Sequence, residues 1–92
     1  MKVIWTSESL TFYDLILVQL NEKWNKKIAE NFELEVFHLI NLIENYNHIC
    51  PKSKVYGFHK CVLNKHNSLI YKFENNDIFL ISFLFNKSQH FY

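Results

Sequence analysis

Arginine is missing from this 92-residue chain, and all ten of its basic residues are lysine. The absence excludes a bidentate guanidinium grip on phosphate and leaves only lysine point charges for any polyanion. A genome biased toward AT-rich codons accounts for it plainly, since the same bias favours Lys, Asn, Ile and Phe. Glycine and proline occur once each, which argues against a disordered or linker-like chain. No apolar run approaches the ~20 residues of a membrane helix, so no membrane partner is expected. The opening "MKVIWTSES" breaks its apolar run too early to resemble a signal peptide. Cysteine occurs only at Cys50 and Cys61. The two can pair, but the chain reads as cytoplasmic with both thiols reduced.

What is present in quantity is large apolar side chains: nine Phe, five Tyr and two Trp in a sequence that is 49% hydrophobic. The length suits a single domain over 1–92, marginal by surface-to-volume scaling. A formal charge of +1 says little about partners. The apolar share suggests that part of the surface awaits one.

Lys2 to Trp5 form a short strand candidate. Thr6 and Ser7 are good helix caps, and Glu8 suits the positive end of a helix dipole. Leu10, Tyr13, Leu17, Leu20 and Trp24 then recur at helical spacing, widened by Ile16, so Ser7 to about Trp24 is predicted as a helix. Asn25 breaks or caps. Ile28, Phe32, Val36, Leu39, Ile40 and Ile43 define a second, strongly amphipathic helix that must fold back on the first. "NYNHICPKSK" ends it. Beyond this point the period changes. Phe58 to Leu63, Ser68 to Phe73 and Ile78 to Phe85 read as three strands joined by the turns "NKHN" and "ENND". The predicted class is α+β: a strand, a helical hairpin and a three-stranded meander, forming a four-stranded antiparallel sheet. There are no repeats.

The last strand poses a question. Alternation places Ile78, Leu80, Ser82 and Leu84 on one face and Phe79, Ile81, Phe83 and Phe85 on the other. A strand apolar on both faces is covered on both. One face can pack on the helices; the other needs an extra segment, a second copy or a partner chain. The polar tail from Asn86 begins where this strand leaves the sheet.

This order of elements resembles the RelE/ParE superfamily of bacterial toxins. "VIWTSES" resembles the family's opening strand and helix cap, and "LVQLNEKW" the end of its first helix. "CPKSK" stands where the family has a proline-containing connection, and "NSLIYKFENNDIFLISFLFNK" resembles its last hairpin. The resemblance covers about Lys2 to Gln89. It implies the toxin of a type II toxin–antitoxin module, neutralised by a cognate antitoxin that wraps around it. RelE-like members cut messenger RNA in the ribosome, and ParE-like members poison DNA gyrase. Neither needs a metal or another cofactor. A homodimer or a toxin–antitoxin hetero-oligomer is implied; the alternative is a degenerate, non-catalytic member that only binds its antitoxin. RelE-like nucleases commonly carry an Arg before the Leu-hydrophobic-Tyr segment of the middle meander strand. Ser68 stands there, before Leu69-Ile70-Tyr71. Where the family often ends its last strand in a basic pair, this chain has Asn86 and Lys87.

RNA cleavage through the 2′-hydroxyl needs a base, an acid and cations around the phosphate. Lys60, Lys72 and Lys87 are candidates to converge on one sheet surface, with a lysine serving as base only if its pKa is lowered. His90 or Tyr92 would supply an acid or stack on a base. The plainer reading is solubilising surface lysines and a frayed tail. Asn86 to His90 are expected beside Lys60 and Lys72, forming a functional rim. The repeated His-x-Cys of His48–Cys50 and His59–Cys61 holds four potential zinc ligands, but the spacing matches no standard finger, and no metal is expected. "KSK" at Lys52–Lys54 and "NKHN" lack interleaved aromatics and read as solvated loops.

Overall fold

Thr6 is where strand gives way to helix. In the computed structural model, which describes residues 1–86, β1 (Val3–Trp5) ends at Thr6, the N-cap of α1 (Ser7–Lys23). The Thr6 hydroxyl accepts the Ser9 N–H at 3.2 Å and donates to the Leu80 carbonyl at 2.7 Å. One side chain thus starts the helix and pins it to the sheet. Asn25 caps α2 (Lys26–Asn45) in the same way, accepting the Ile28 N–H at 2.9 Å. The two helices therefore form an antiparallel hairpin with almost no loop.

The buried face of α2 follows its predicted stripe: Phe32, Val36, Ile40 and Ile43, with Ala29 beside them. That of α1 is rotated. Ser9, Tyr13 and Ile16 are buried, whereas Leu10 is 46% and Trp24 71% exposed. The small Ser9 allows close approach at the cap, its hydroxyl donating to the Thr6 carbonyl. Trp24 lies one residue beyond the helix.

β2 (Phe58–Val62), β3 (Asn67–Glu74) and β4 (Asp77–Phe85) form the meander. Asn75 and Asn76 join β3 to β4 with φ of 52° and 64°, a turn that asparagine tolerates and that matches strand twist. The sheet order is β1-β4-β3-β2, and β1 runs parallel to β4. The expected all-antiparallel sheet is therefore corrected to a mixed one. Turn chemistry reports on hairpins, but β1 reaches β4 through a long connection, which permits parallel pairing.

A bulge answers the question posed by the last strand. Ile70 pairs with Ser82 and Tyr71 with Leu80, so Ile81 has no partner on β3. The extra residue reverses the alternation of β4. Ile78, Leu80 and Phe83 all join the core beneath the helices, and Ser82 moves to the opposite face. Simple alternation had put Phe83 and Leu80 on opposite faces. The shift completes an aromatic cluster: Phe83 lies 5.8 Å from Trp5, 5.6 Å from Tyr13 and 6.4 Å from Phe32, centroid to centroid.

Within that cluster the Tyr13 hydroxyl is buried near Glu33 with no hydrogen-bond partner among the described residues. Burial, reinforced by Glu33 and Asp14, pushes its pKa up to about 12. The folded state thus holds this proton more tightly than the unfolded chain. The contribution is intact below pH ~10 and is lost as pH rises toward ~12. Tyr13→Phe is expected to flatten part of the alkaline loss of stability, and at pH 7 to cost nothing or to stabilise by about 1 kcal/mol, since an unpaired polar group is removed. Thermal midpoints between pH 8 and 11.5 check both. Burial also raises Tyr71, so some alkaline loss remains.

The segment after α2 overturns one expectation. Ser53 N–H donates to the Phe58 carbonyl at 2.8 Å, Lys60 N–H to that of Pro51 at 3.0 Å, and Lys52 bridges His59. Gly57, at φ 88°, makes the return possible. This short ladder sets Cys50 directly opposite Cys61, with Cα atoms 5.2 Å apart, and the two form a disulfide. The reduced pair expected from the sequence is corrected on that geometry.

Candidate functional site

The helices cover one face of the sheet, and Lys60 and Lys72, two of the lysines singled out in the sequence, lie on the other. Lys60 on β2 stands opposite Ile70, and Lys72 on β3 stands opposite Phe58. They are diagonal neighbours on one face, with backbones roughly 7–8 Å apart. Lys72 is already engaged: its Nζ lies 2.6 Å from Glu74 Oε2 and 5.8 Å from the centre of the Phe58 ring. Between and beside them Ile70, Ser68 and Ser82 are buried, while Val62 at the edge is exposed. Lys87, His90 and Tyr92 lie outside the described residues.

The end of β4 is near the start of β3 and the end of β2, as a meander requires. Asn86 N–H donates to the His66 carbonyl at 2.8 Å, and its Nδ2 to the Asn64 carbonyl at 2.8 Å. Its Oδ1 accepts from the Ser68 hydroxyl. Ser68 and Asn86, the two positions where the sequence departs from the nuclease pattern, thus touch each other and form a neutral clamp. Lys72 is not beside them. It sits four residues along β3 from Ser68, about 13 Å at strand rise. Asn86→Ala should leave the Ser68 hydroxyl and the Asn64 carbonyl unpaired, costing on the order of 1–2 kcal/mol. A denaturant midpoint, with faster amide exchange at the end of β4, checks this.

Both His-x-Cys motifs do come together. The His48 and His59 rings are 5.6 Å apart. His59 is buried, its Nδ1 lies 2.9 Å from the Cys50 carbonyl, and its ring stacks on Tyr71 at 5.0 Å. Tyr71 in turn donates to the Asn47 carbonyl at 2.9 Å. The sulfurs are joined to each other, and among the described residues no cluster of His, Cys, Asp or Glu is arranged to hold a metal. This is a stapled structural corner. Its signal in the sequence was the lone glycine between two cysteines, which marks a return of the chain. No described helix is long and apolar enough to cross a membrane.

No protein-family model matches the sequence, and no curated protein matches it. Its architecture does have counterparts. A chain of the chromosomal ParDE TA system from P. aeruginosa superposes with a TM-score of 0.77 at 15% identity, covering 90% of this chain and 92% of that one. The YoeB dimer from Staphylococcus aureus gives a TM-score of 0.59 at 15% identity, covering 89% and 92%. The fold is therefore the RelE/ParE-like toxin fold.

Proposed function

We propose that residues 1–92 form a single toxin domain of a type II toxin–antitoxin module, acting on DNA gyrase and neutralised by a cognate antitoxin. The observation that carries the choice of target is the Ser68–Asn86 clamp. At two of the three positions where the resemblance to RelE-like nucleases implies positive charge, Ser68 and Asn86, the side chains are neutral and committed to each other, and only Lys87 keeps a cation. Removing cations from beside a phosphate forfeits most of the electrostatic stabilisation that such cleavage depends on. The closer superposition on the ParDE chain than on YoeB supports the same reading. Exposed apolar residues on both helices, Leu15 and Val18 on α1 and Leu34 and Phe37 on α2, suit a protein that spends its life covered by a partner.

Messenger-RNA cleavage is the second reading, favoured by the shared face of Lys60 and Lys72. It would recruit Lys87, His90 and Tyr92 to a metal-independent endoribonuclease site. Inducing the chain in growing bacteria, with growth and RNA integrity followed together, tests the proposal. Arrest with intact messenger RNA supports gyrase, arrest with cut messenger RNA supports the nuclease, and normal growth supports a non-catalytic antitoxin binder.

A further inference from the structure

A cleft of about 370 Å³ opens between the tip of the helical hairpin and the β2–β3 turn. Its size is in the range of ligand pockets. Leu20 and Phe32 line it, with Trp24, Ile28 and Phe85 around them, all three at least 39% exposed. Asn67, opposite Phe85 in the β3–β4 register, also lines it. Asn67 is only 4% exposed, yet its Nδ2 has no hydrogen-bond partner among the described residues. A buried donor without an acceptor costs free energy that an occupant bearing a carbonyl would recover. The rim carries a charge of each sign. Glu35 is held by the Asn64 amide at 3.1 Å, whereas Lys23 has no ion-pair partner among the described residues.

We infer that this cleft docks an extended segment of a partner protein: a bulky apolar side chain enters it, a backbone carbonyl accepts from Asn67 Nδ2, and a flanking acidic residue meets Lys23. The chemistry follows from three features together. Apolar walls suit an apolar anchor, the buried Asn67 amide needs an acceptor, and Lys23, exposed to solvent at the rim, attracts a carboxylate. Identifying that partner as the antitoxin rests on the toxin–antitoxin reading; the docking site itself does not.

The test uses random dodecapeptides displayed on phage and selected against the full chain. Enriched peptides are expected to carry an aromatic or Leu anchor beside Asp or Glu. Asn67→Leu, which keeps the shape and removes the donor, should weaken them about tenfold. Trp24→Ala should do so as well, and Tyr56→Ala, fully exposed in the segment before β2 and outside the cleft, should not. Unchanged thermal midpoints for Trp24→Ala and Asn67→Leu separate lost binding from lost folding. The inference is overturned if no peptide is enriched, or if enriched peptides ignore both cleft substitutions. It is also overturned if sedimentation shows a wild-type dimer that Trp24→Ala dissociates, because the occupant is then a second copy. Peptide binding without growth arrest would remove only the toxin reading, and arrest without peptide binding only the docking site.

Discussion

Reducing the Cys50–Cys61 disulfide is expected to lower the thermal midpoint by roughly 12–24 °C. The bridge spans a sequence separation of 11. Closing a loop of that size restricts the unfolded chain by about 3 kcal/mol in the chain-entropy account. Each kcal/mol is worth roughly 4–8 °C in a domain of this length. The loss is large against a total stability of about 5–15 kcal/mol. Cys61 is almost fully buried and packs in the core with Leu69 and Tyr71, so the bridge ties the strand β2 to the helical layer through the segment after α2. Calorimetry with and without dithiothreitol measures the drop. The double variant Cys50→Ser/Cys61→Ser should melt near the reduced wild type and ignore the reductant. A midpoint unmoved by dithiothreitol would show that the staple contributes nothing. A cytoplasm that keeps thiols reduced would hold the chain in its weaker form, which an antitoxin bound to the folded state would offset by mass action.

Inducing the chain in bacteria is expected to arrest growth while messenger RNA stays full length. Lys87→Ala should arrest as strongly as wild type, because on this account no phosphate is held beside the end of β4. The nuclease reading demands the opposite: cut messenger RNA, and a rate lower by on the order of 10²-fold when Lys87 loses its cation. Parallel inductions of wild type and Lys87→Ala, with RNA integrity measured in both, separate the two. Arrest relieved by Lys87→Ala, together with cleavage in the wild type, would move the target from gyrase to the ribosome.

Much of the fold was legible because its signals are local. The α2 stripe repeats at helical period, Asn25 and Thr6 are cap residues, and Asn75-Asn76 is a hairpin turn by chemistry alone. What escaped depended on contacts between distant residues. The parallel pairing of β1 with β4 leaves no turn signature. The bulge at Ile81 changes which β4 side chains reach the core, and no spacing in "DIFLISFLF" announces it. Cys50 and Cys61 become opposite only once the chain reverses at Gly57, and a compartment argument pointed away from their pairing. At the candidate site, the sequence marked Ser68 and Asn86 as departures, one by one. That they contact each other follows from the meander register, and it turns two missing charges into one neutral clamp. Asn67 read as the end of the solvated turn "NKHN", whereas it opens β3 and is buried; its unpaired amide is visible only when its surroundings are.

Supercoiling of relaxed DNA by purified gyrase, titrated with the purified full chain, tests the proposed function most directly. The account predicts that supercoiled product falls with increasing chain and is restored when the antitoxin is added in excess. Full supercoiling at a large excess of folded chain would contradict it.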